Sequence, residues 1–285
     1  MASLADTPFA DWPTIPYTEL VILNQLTPKV YVAHLSNNPK TRLLVKFVSG
    51  DMTEKSIWKE MNILKEHQLH PSLLPVNHVI LDDNSCIIGM TTKFIPGGSL
   101  KDNNNRTFKL KWLTQLTEAL DFLHTEQGIV HGDLHLGNIL IDEANDRLVL
   151  CNLGTAKEAT ERNLVEEFWS VMWTLYELIT LDFEAEEEQV QNSYRETGVY
   201  SLDTRSIEDL PKWPVRTQLD CDAEKLRGYL QEWIKVRVNT LHFIKAKTPD
   251  VTINFGGEEK LQWTSPIHGR GGAQSRTVRM NHQSE

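Results

Sequence analysis

No stretch of this 285-residue chain reaches the roughly 18 or more consecutive apolar residues needed to span a bilayer, so no membrane association is expected. The opening residues MASLADTPFADWPTIPY lack a charged start followed by an apolar run, and no secretory leader is expected either. Cysteine is scarce. Cys86, Cys151 and Cys221 form an odd set without a CxxC pair, which argues against a disulfide framework and for a reduced intracellular setting, cytoplasmic or nuclear. Positive charge is also short: a formal net charge of −10 argues against general nucleic-acid binding, which needs a basic face. Part of the acidity is local, since LDFEAEEEQ packs Asp182, Glu184, Glu186, Glu187 and Glu188 together, as expected of a solvated loop or helix start. Glycine is absent throughout ELVILNQLTPKVY.

What remains is ordinary globular material, 40% apolar and 24% charged, long enough for one large domain or two lobes sharing a cleft. From Tyr17 to about Phe94 the runs KVYVAHL, RLLVKFV, PVNHVIL and SCIIGMTTKF are rich in Val, Ile, Thr and aromatics, with turn-forming SNNPK and LDDNS between them. One helix interrupts them, because Ile57, Met61 and Leu64 recur at helical spacing. An antiparallel sheet with one helix on a face is expected. After IPGGSL the character changes. Residues 107–125 place Leu113, Leu116, Leu120 and Leu123 on one helical side; residues 164–180 are apolar nearly all round, as in a buried central helix. A third long helix is expected at about 223–245, from Leu226, Leu230, Trp233 and Leu241, and short strands at ILID and RLVLC. The last residues are Gly, Ser, Gln and Arg rich, and 264–285 is expected to be a disordered tail.

Asp133 and Asn138 stand in a D-x-x-x-x-N spacing, in a turn between a helix and a strand. Phosphoryl transfer uses these residue types together: a carboxylate accepts the proton of the attacking hydroxyl, and a nearby amide oxygen helps to hold Mg²⁺ against phosphates. Upstream, Lys46 on a strand could reach phosphates if Glu60, on the helix, holds it by an ion pair.

With these residues in view, the chain resembles the eukaryotic protein kinase family over about residues 20 to 240. LLVKF resembles the Lys-bearing third strand, and WKEMNILKEHQLHPSLLPV the helix that follows. KFIPGGSL resembles the hinge, IVHGDLHLGN the catalytic loop, CNLG the metal-binding Asp-Phe-Gly, and EFWSVMWTLYELIT the central helix. The resemblance implies an α+β, two-lobed protein kinase-like fold: a small antiparallel β-sheet lobe with one helix (17–94) and a mostly helical, truncated C-lobe (95–263). It implies ATP and Mg²⁺ as cofactors and a set of roles. Lys46 would contact phosphates, paired with Glu60; Asp133 would be the base; Asn138 and Asn152 would stand at the metal. Lys93 to Ile95 would lie against adenine beyond a gatekeeper at Thr92. Leu64, His131 and Leu153 would join the lobes in a hydrophobic spine.

The departures from the family pattern point away from catalysis. Asn152 replaces the metal-binding Asp, and a neutral amide is a weaker Mg²⁺ ligand than a carboxylate. The three glycine positions of the phosphate-covering loop fall on Leu23, Gln25 and Pro28; glycine lets backbone N–H groups approach phosphate, and Pro28 has none to offer. Leu44 stands where an alanine normally roofs the adenine. Only 12 residues separate Gly154 from Glu167, too few for the usual peptide-substrate platform. Glu167 replaces the central helix's Asp, and Gly132 the Arg of the catalytic loop. Together these imply a pseudokinase that binds or regulates an unidentified protein partner. The alternative is an active ATP-dependent kinase, either a Ser/Thr protein kinase or a small-molecule phosphotransferase. HGDLHLGN resembles the catalytic loop of aminoglycoside and choline phosphotransferases, and there His135 would lie near the γ-phosphate. A metal pair of His131 and His135 would need a helix, and this segment reads as a loop.

Overall fold

Six strands rich in Val, Ile and Leu form the first layer of the computed structural model, which describes residues 3–48, 51–66, 70–189 and 205–247. They are β1 (Thr14–Pro16), β2 (Leu20–Thr27), β3 (Val30–Leu35), β4 (Asn38–Phe47), β5 (Val76–Leu81) and β6 (Ile87–Lys93), in the spatial order β1-β5-β6-β4-β3-β2. Tyr31 and Thr91 both lie opposite Val45, and Val32 and Thr92 both lie opposite Leu44. Odd-numbered residues of β3 and β4 therefore share one face and even-numbered residues the other. The sheet is not purely antiparallel as the sequence suggested. β1 runs parallel to β5, with Thr14 opposite Val79 and Pro16 opposite Leu81. A three-residue strand that follows Pro13 and ends in Pro16 shows no period, and proline is tolerated there because the strand is an edge. Just before it, Phe9 is fully buried against Trp12 and Trp58, with ring centroids 5.2 and 5.5 Å away.

Helix α1 (Asp51–Glu66) lies between β4 and β5 in the chain. Its Ile57, Met61 and Leu64 form the expected buried stripe, and they share one apolar cluster with Met90 of β6. The same cluster continues into the second lobe through Leu120, Leu153 and Trp173, so the two lobes are joined by a continuous core.

In that lobe α2 (Leu110–Asp121) runs into a π-helical turn at Phe122–Glu126. Leu113, Leu116, Leu120 and Leu123 are all buried, as their spacing predicts. Two short antiparallel pairs follow: β8 (Ile139–Asp142) with β9 (Arg147–Leu150), and β7 (Ile129–Val130) with β10 (Lys157–Glu158). Helix α3 (Glu161–Thr180) begins at Thr160, whose side chain accepts from the Asn163 N–H at 3.2 Å, a standard N-cap. It ends at Leu181 in a left-handed conformation. Phe168, Val171, Met172, Trp173 and Leu175 are buried on successive sides of α3, which confirms it as the central helix. A four-residue helix, α4 (Arg205–Glu208), and the long α5 (Ala223–Lys247) complete the described elements. Leu226, Leu230 and Trp233 of α5 are buried. The Leu241 side chain, residues 248–263 and the expected disordered tail at 264–285 lie outside the described residues. Both lobes belong to one compact unit, Met1–Ile244; the second unit, Lys245–Glu285, is described only as far as Lys247.

The acidic run is a helix start, as expected, with Glu184, Glu187 and Glu188 exposed and Glu186 the exception. Residues 185–189 are helical, and Glu186 is half-buried toward Glu177 of α3. Burial, and then the charge of Glu186, push the Glu177 carboxyl up from 4.5 to about 8, against the pull of Lys101. The folded value lies above the unfolded one. The residue's favourable contribution is therefore complete below about pH 4.5 and is lost as the pH rises through 8. Glu177→Gln is expected to raise the melting temperature at pH 8 by ~2–4 °C for each kcal/mol relieved, and to leave it unchanged near pH 4.5. Paired melts at the two pH values check this.

Candidate functional site

The end of β4 faces α1, and this brings Lys46 to Glu60. Lys46 Nζ donates to both carboxylate oxygens, at 2.9 and 2.8 Å. Glu60 lies on the buried side of α1 and is only 3% exposed, so its charge depends on partners. It has another: the Asn152 N–H donates to Glu60 Oε1 at 3.1 Å, while Asn152 Oδ1 accepts from Lys46 Nζ at 3.5 Å. Asn152 directly follows the β9 strand and Cys151, with φ 71° and ψ 53°. Asparagine is one of the few residues that adopt this left-handed geometry readily. Two residues on, the chain presses against α1. A Cβ at Gly154 would lie 2.0 Å from Ser56 Oγ and 2.9 Å from the Ser56 carbonyl, so glycine is required there.

The loop between β7 and β8 carries the second group. His131 is fully buried, with Nε2 donating to the Cys151 carbonyl at 3.0 Å. Gly132 has φ +75°, and a Cβ there would lie 2.6 Å from the Thr155 carbonyl. The arginine of the family pattern would meet the same carbonyl. The Gly132 N–H donates to Glu167 Oε1 at 2.9 Å, and Glu167 Oε2 lies 2.5 Å from His124 Nε2. Glu167 thus pins this loop to α3 and to the π-helical end of α2. Asn138 Nδ2 donates to the Asp133 carbonyl at 2.7 Å and lies 3.3 Å from Asp133 Oδ2. His135 joins them: its Nδ1 accepts from the Gly137 N–H at 3.0 Å, and its Nε2 is 3.0 Å from Asn138 Nδ2 and 3.8 Å from Asp133 Oδ2. With its NH₂ engaged, Asn138 has Oδ1 left to meet a cation.

Cys151 sits between the two groups. Burial above all pushes its thiol up to about 12, with Lys46 lowering it and Glu60 and Asp133 raising it. It stays protonated and is no nucleophile.

On the cleft face of β4, Leu44 lies between Val32 and Thr92. Thr92 is 2% exposed, and its Oγ1 is buried without a hydrogen-bond partner among the described residues. Lys93 turns to the opposite face and pairs with Asp142 at 2.6 Å. Ile95 is buried among Leu74, Leu140 and Val149. Lys93, Ile95, Asp142 and Arg147 line a cavity of about 400 Å³ that includes none of Lys46, Glu60, Asp133 or Asn152. At the mouth of the cleft, Leu23 and Gln25 are exposed on β2, and Pro28 with Lys29 makes the turn into β3.

The sequence-predicted residues thus gather as Lys46–Glu60–Asn152 and Asp133–Asn138–His135, with Thr92 opposite Leu44. The Lys93 and Ile95 side chains are engaged elsewhere. As a Mg²⁺ donor set, the Asp133 carboxylate and two neutral amides fit poorly, because Mg²⁺ is held through carboxylates and phosphates in near-ideal geometry. Sequence reasoning missed His124, whose only signal is a lone histidine at the end of an apolar helix. It also missed the Lys93–Asp142 pair, for which no spacing gives a signal. Truncating Glu60 to Ala leaves Lys46 half-buried without its counter-charge and the Asn152 N–H unpaired. A loss of about 3–5 kcal/mol is expected, measured by urea denaturation.

The protein kinase domain profile matches residues 30–202, more than half of the chain, beginning just after β2 and its Pro28–Lys29 turn. Among curated proteins, the chain is similar to the serine/threonine-protein kinase KIN4 of Saccharomyces cerevisiae, 30% identical over 46% of this chain and 17% of that one. It is 28% identical to the probable serine/threonine-protein kinase samkC of Dictyostelium discoideum, over 53% of this chain and 18% of that one. It is also 28% identical to the serine/threonine-protein kinase nekl-2 of Caenorhabditis elegans, over 50% of each. The similarity spans half or less of the length of each of these relatives.

Proposed function

The chain belongs to the eukaryotic protein kinase family, and from that premise we propose that it is a pseudokinase: a binding or regulatory module with weak or no ATP-dependent phosphotransfer. The observation that carries this reading is Asn152, an amide at the position of the family's metal-holding carboxylate, with its Oδ1 3.5 Å from Lys46 Nζ. Active members of the family use ATP with Mg²⁺. In this chain the Lys46–Glu60 pair that active members need is kept, and the departure lies at Asn152, a neutral amide in place of a carboxylate. Replacing the metal-holding carboxylate by an amide removes a few kcal/mol of transition-state stabilisation, on the order of a hundredfold or more in rate.

Two other features support the reading. Leu44 reduces the room under the sheet, and β2 lacks the glycines whose missing Cβ lets backbone N–H groups approach phosphate closely. The link from Gly154 to α3 is tied down by β10 pairing with β7, which leaves no platform for a peptide substrate. The partner is then a protein bound through the fold's surface, in an intracellular setting that suits three free cysteines. Among the described residues no helix is long and apolar enough to cross a membrane.

One observation favours an active transferase instead. Asn138 still holds the Asp133 backbone at 2.7 Å, the geometry a base needs. An enzyme acting on small molecules would not require a peptide platform.

Thermal melts of the full chain with ATP, with and without Mg²⁺ or Mn²⁺, separate the readings. A ligand at a hundred times its Kd adds about 2.7 kcal/mol to stability. No metal-dependent shift is expected, and Asn152→Asp alone is not expected to create strong phosphotransfer, because Leu44 and β2 remain. A metal-dependent shift that Lys46→Ala abolishes would overturn the proposal.

A further inference from the structure

β2 is a free edge of the sheet among the described residues, paired only with β3. Seven of its eight residues are exposed, and none is charged. Val21, Ile22, Leu23 and Leu26 are 41–51% exposed, and Tyr17 just before them is 42% exposed. Nine large apolar residues are exposed among those described, and five of them therefore fall within one short stretch. Such an edge is a template for strand pairing, and proteins usually blunt it with charge, proline or bulges. β2 has two bulges, where the register skips Leu23 and Leu26. These shorten the regular ladder, yet the skipped residues are the two most exposed leucines of the strand.

The flanks of the strand identify the occupant. Glu19 precedes it and Lys29 follows it, each five residues from Asn24. Neither side chain has a hydrogen-bond or ion-pair partner among the described residues. Glu19 closes the helical turn Tyr17–Glu19 before the strand, and Lys29 lies in the turn after it. Two strands paired antiparallel about a two-fold axis near Asn24 therefore bring the Glu19 end of each copy to the Lys29 end of the other. Within the strand only neutral residues oppose one another. A parallel pairing would instead bring Glu19 against Glu19 and Lys29 against Lys29, which is unfavourable.

We propose that β2 pairs antiparallel with β2 of a second copy of this chain, forming a homodimer with one sheet running through both protomers. The interface is isologous and small. Five half-exposed side chains on one short strand fall well short of the roughly 800 Å² per partner of a stable interface. The dimer is therefore weak, and its population follows concentration.

Sedimentation velocity of the full chain, from about 1 to about 200 µM, tests this. A monomer–dimer equilibrium is expected. Leu23→Lys should remove the dimer while leaving the melting temperature unchanged, since the side chain touches no core. Lys29→Glu should weaken the dimer, more so at low salt, and the double variant Glu19→Lys/Lys29→Glu should restore it. A chain that stays monomeric throughout, a dimer untouched by Leu23→Lys, or a charge swap that does not restore what Lys29→Glu removes would each overturn the proposal.

Discussion

The Glu60 carboxylate is the point on which the two lobes depend. It is nearly inaccessible, so it must be matched by charge and N–H donors, and it finds Lys46 on the sheet and the Asn152 N–H at the end of the β8–β9 hairpin. Sheet, helix and second lobe are thereby tied at one atom group, and the apolar cluster around Met61, Leu64 and Leu153 closes over it. A buried ion pair of this kind contributes little net stability compared with an apolar replacement, but breaking it from one side is costly. It therefore works chiefly as a register pin, holding α1 at one position on the sheet. The lysine–glutamate pair is one that the family's active members keep; what differs in this cleft is the amide of Asn152 beside it.

The second pin is Glu167. One methylene longer than the Asp of the family pattern, it reaches both the Gly132 N–H and His124. Gly132 fits because the Thr155 carbonyl occupies the space a side chain would need. The two substitutions sit together: the link after Gly154 is short and paired through β10 to β7, and the loop is braced from beneath by a carboxylate.

Much of the frame was legible in the sequence, because periodic burial writes itself into spacing. The stripe Ile57, Met61 and Leu64, the leucines of α2 and the all-round apolar α3 each announce their element. The Lys46, Glu60, Asp133, Asn138 and Asn152 set was legible only through the spacing of its motifs, since a single buried ion pair has no period. Other features left no mark. β1 is three residues long and ends in a proline, the Lys93–Asp142 pair joins residues far apart in the chain, and His124 is one polar residue at the end of an apolar helix. Each is a tertiary contact specified by the partner it meets. The half-buried state of Glu186 was hidden for the opposite reason: an acidic run reads as solvated wherever it lies.

The central claim is that this cleft holds a kinase's frame without its chemistry. The most direct measurement is transfer of the γ-phosphate from labelled ATP with Mg²⁺, comparing the native chain with Asp133→Asn under identical conditions, with generic protein and small-molecule acceptors and with the chain alone. The account predicts rates that are indistinguishable from each other and from the background. A native rate on the order of a hundredfold above Asp133→Asn, about 2.7 kcal/mol of transition-state stabilisation, would contradict it.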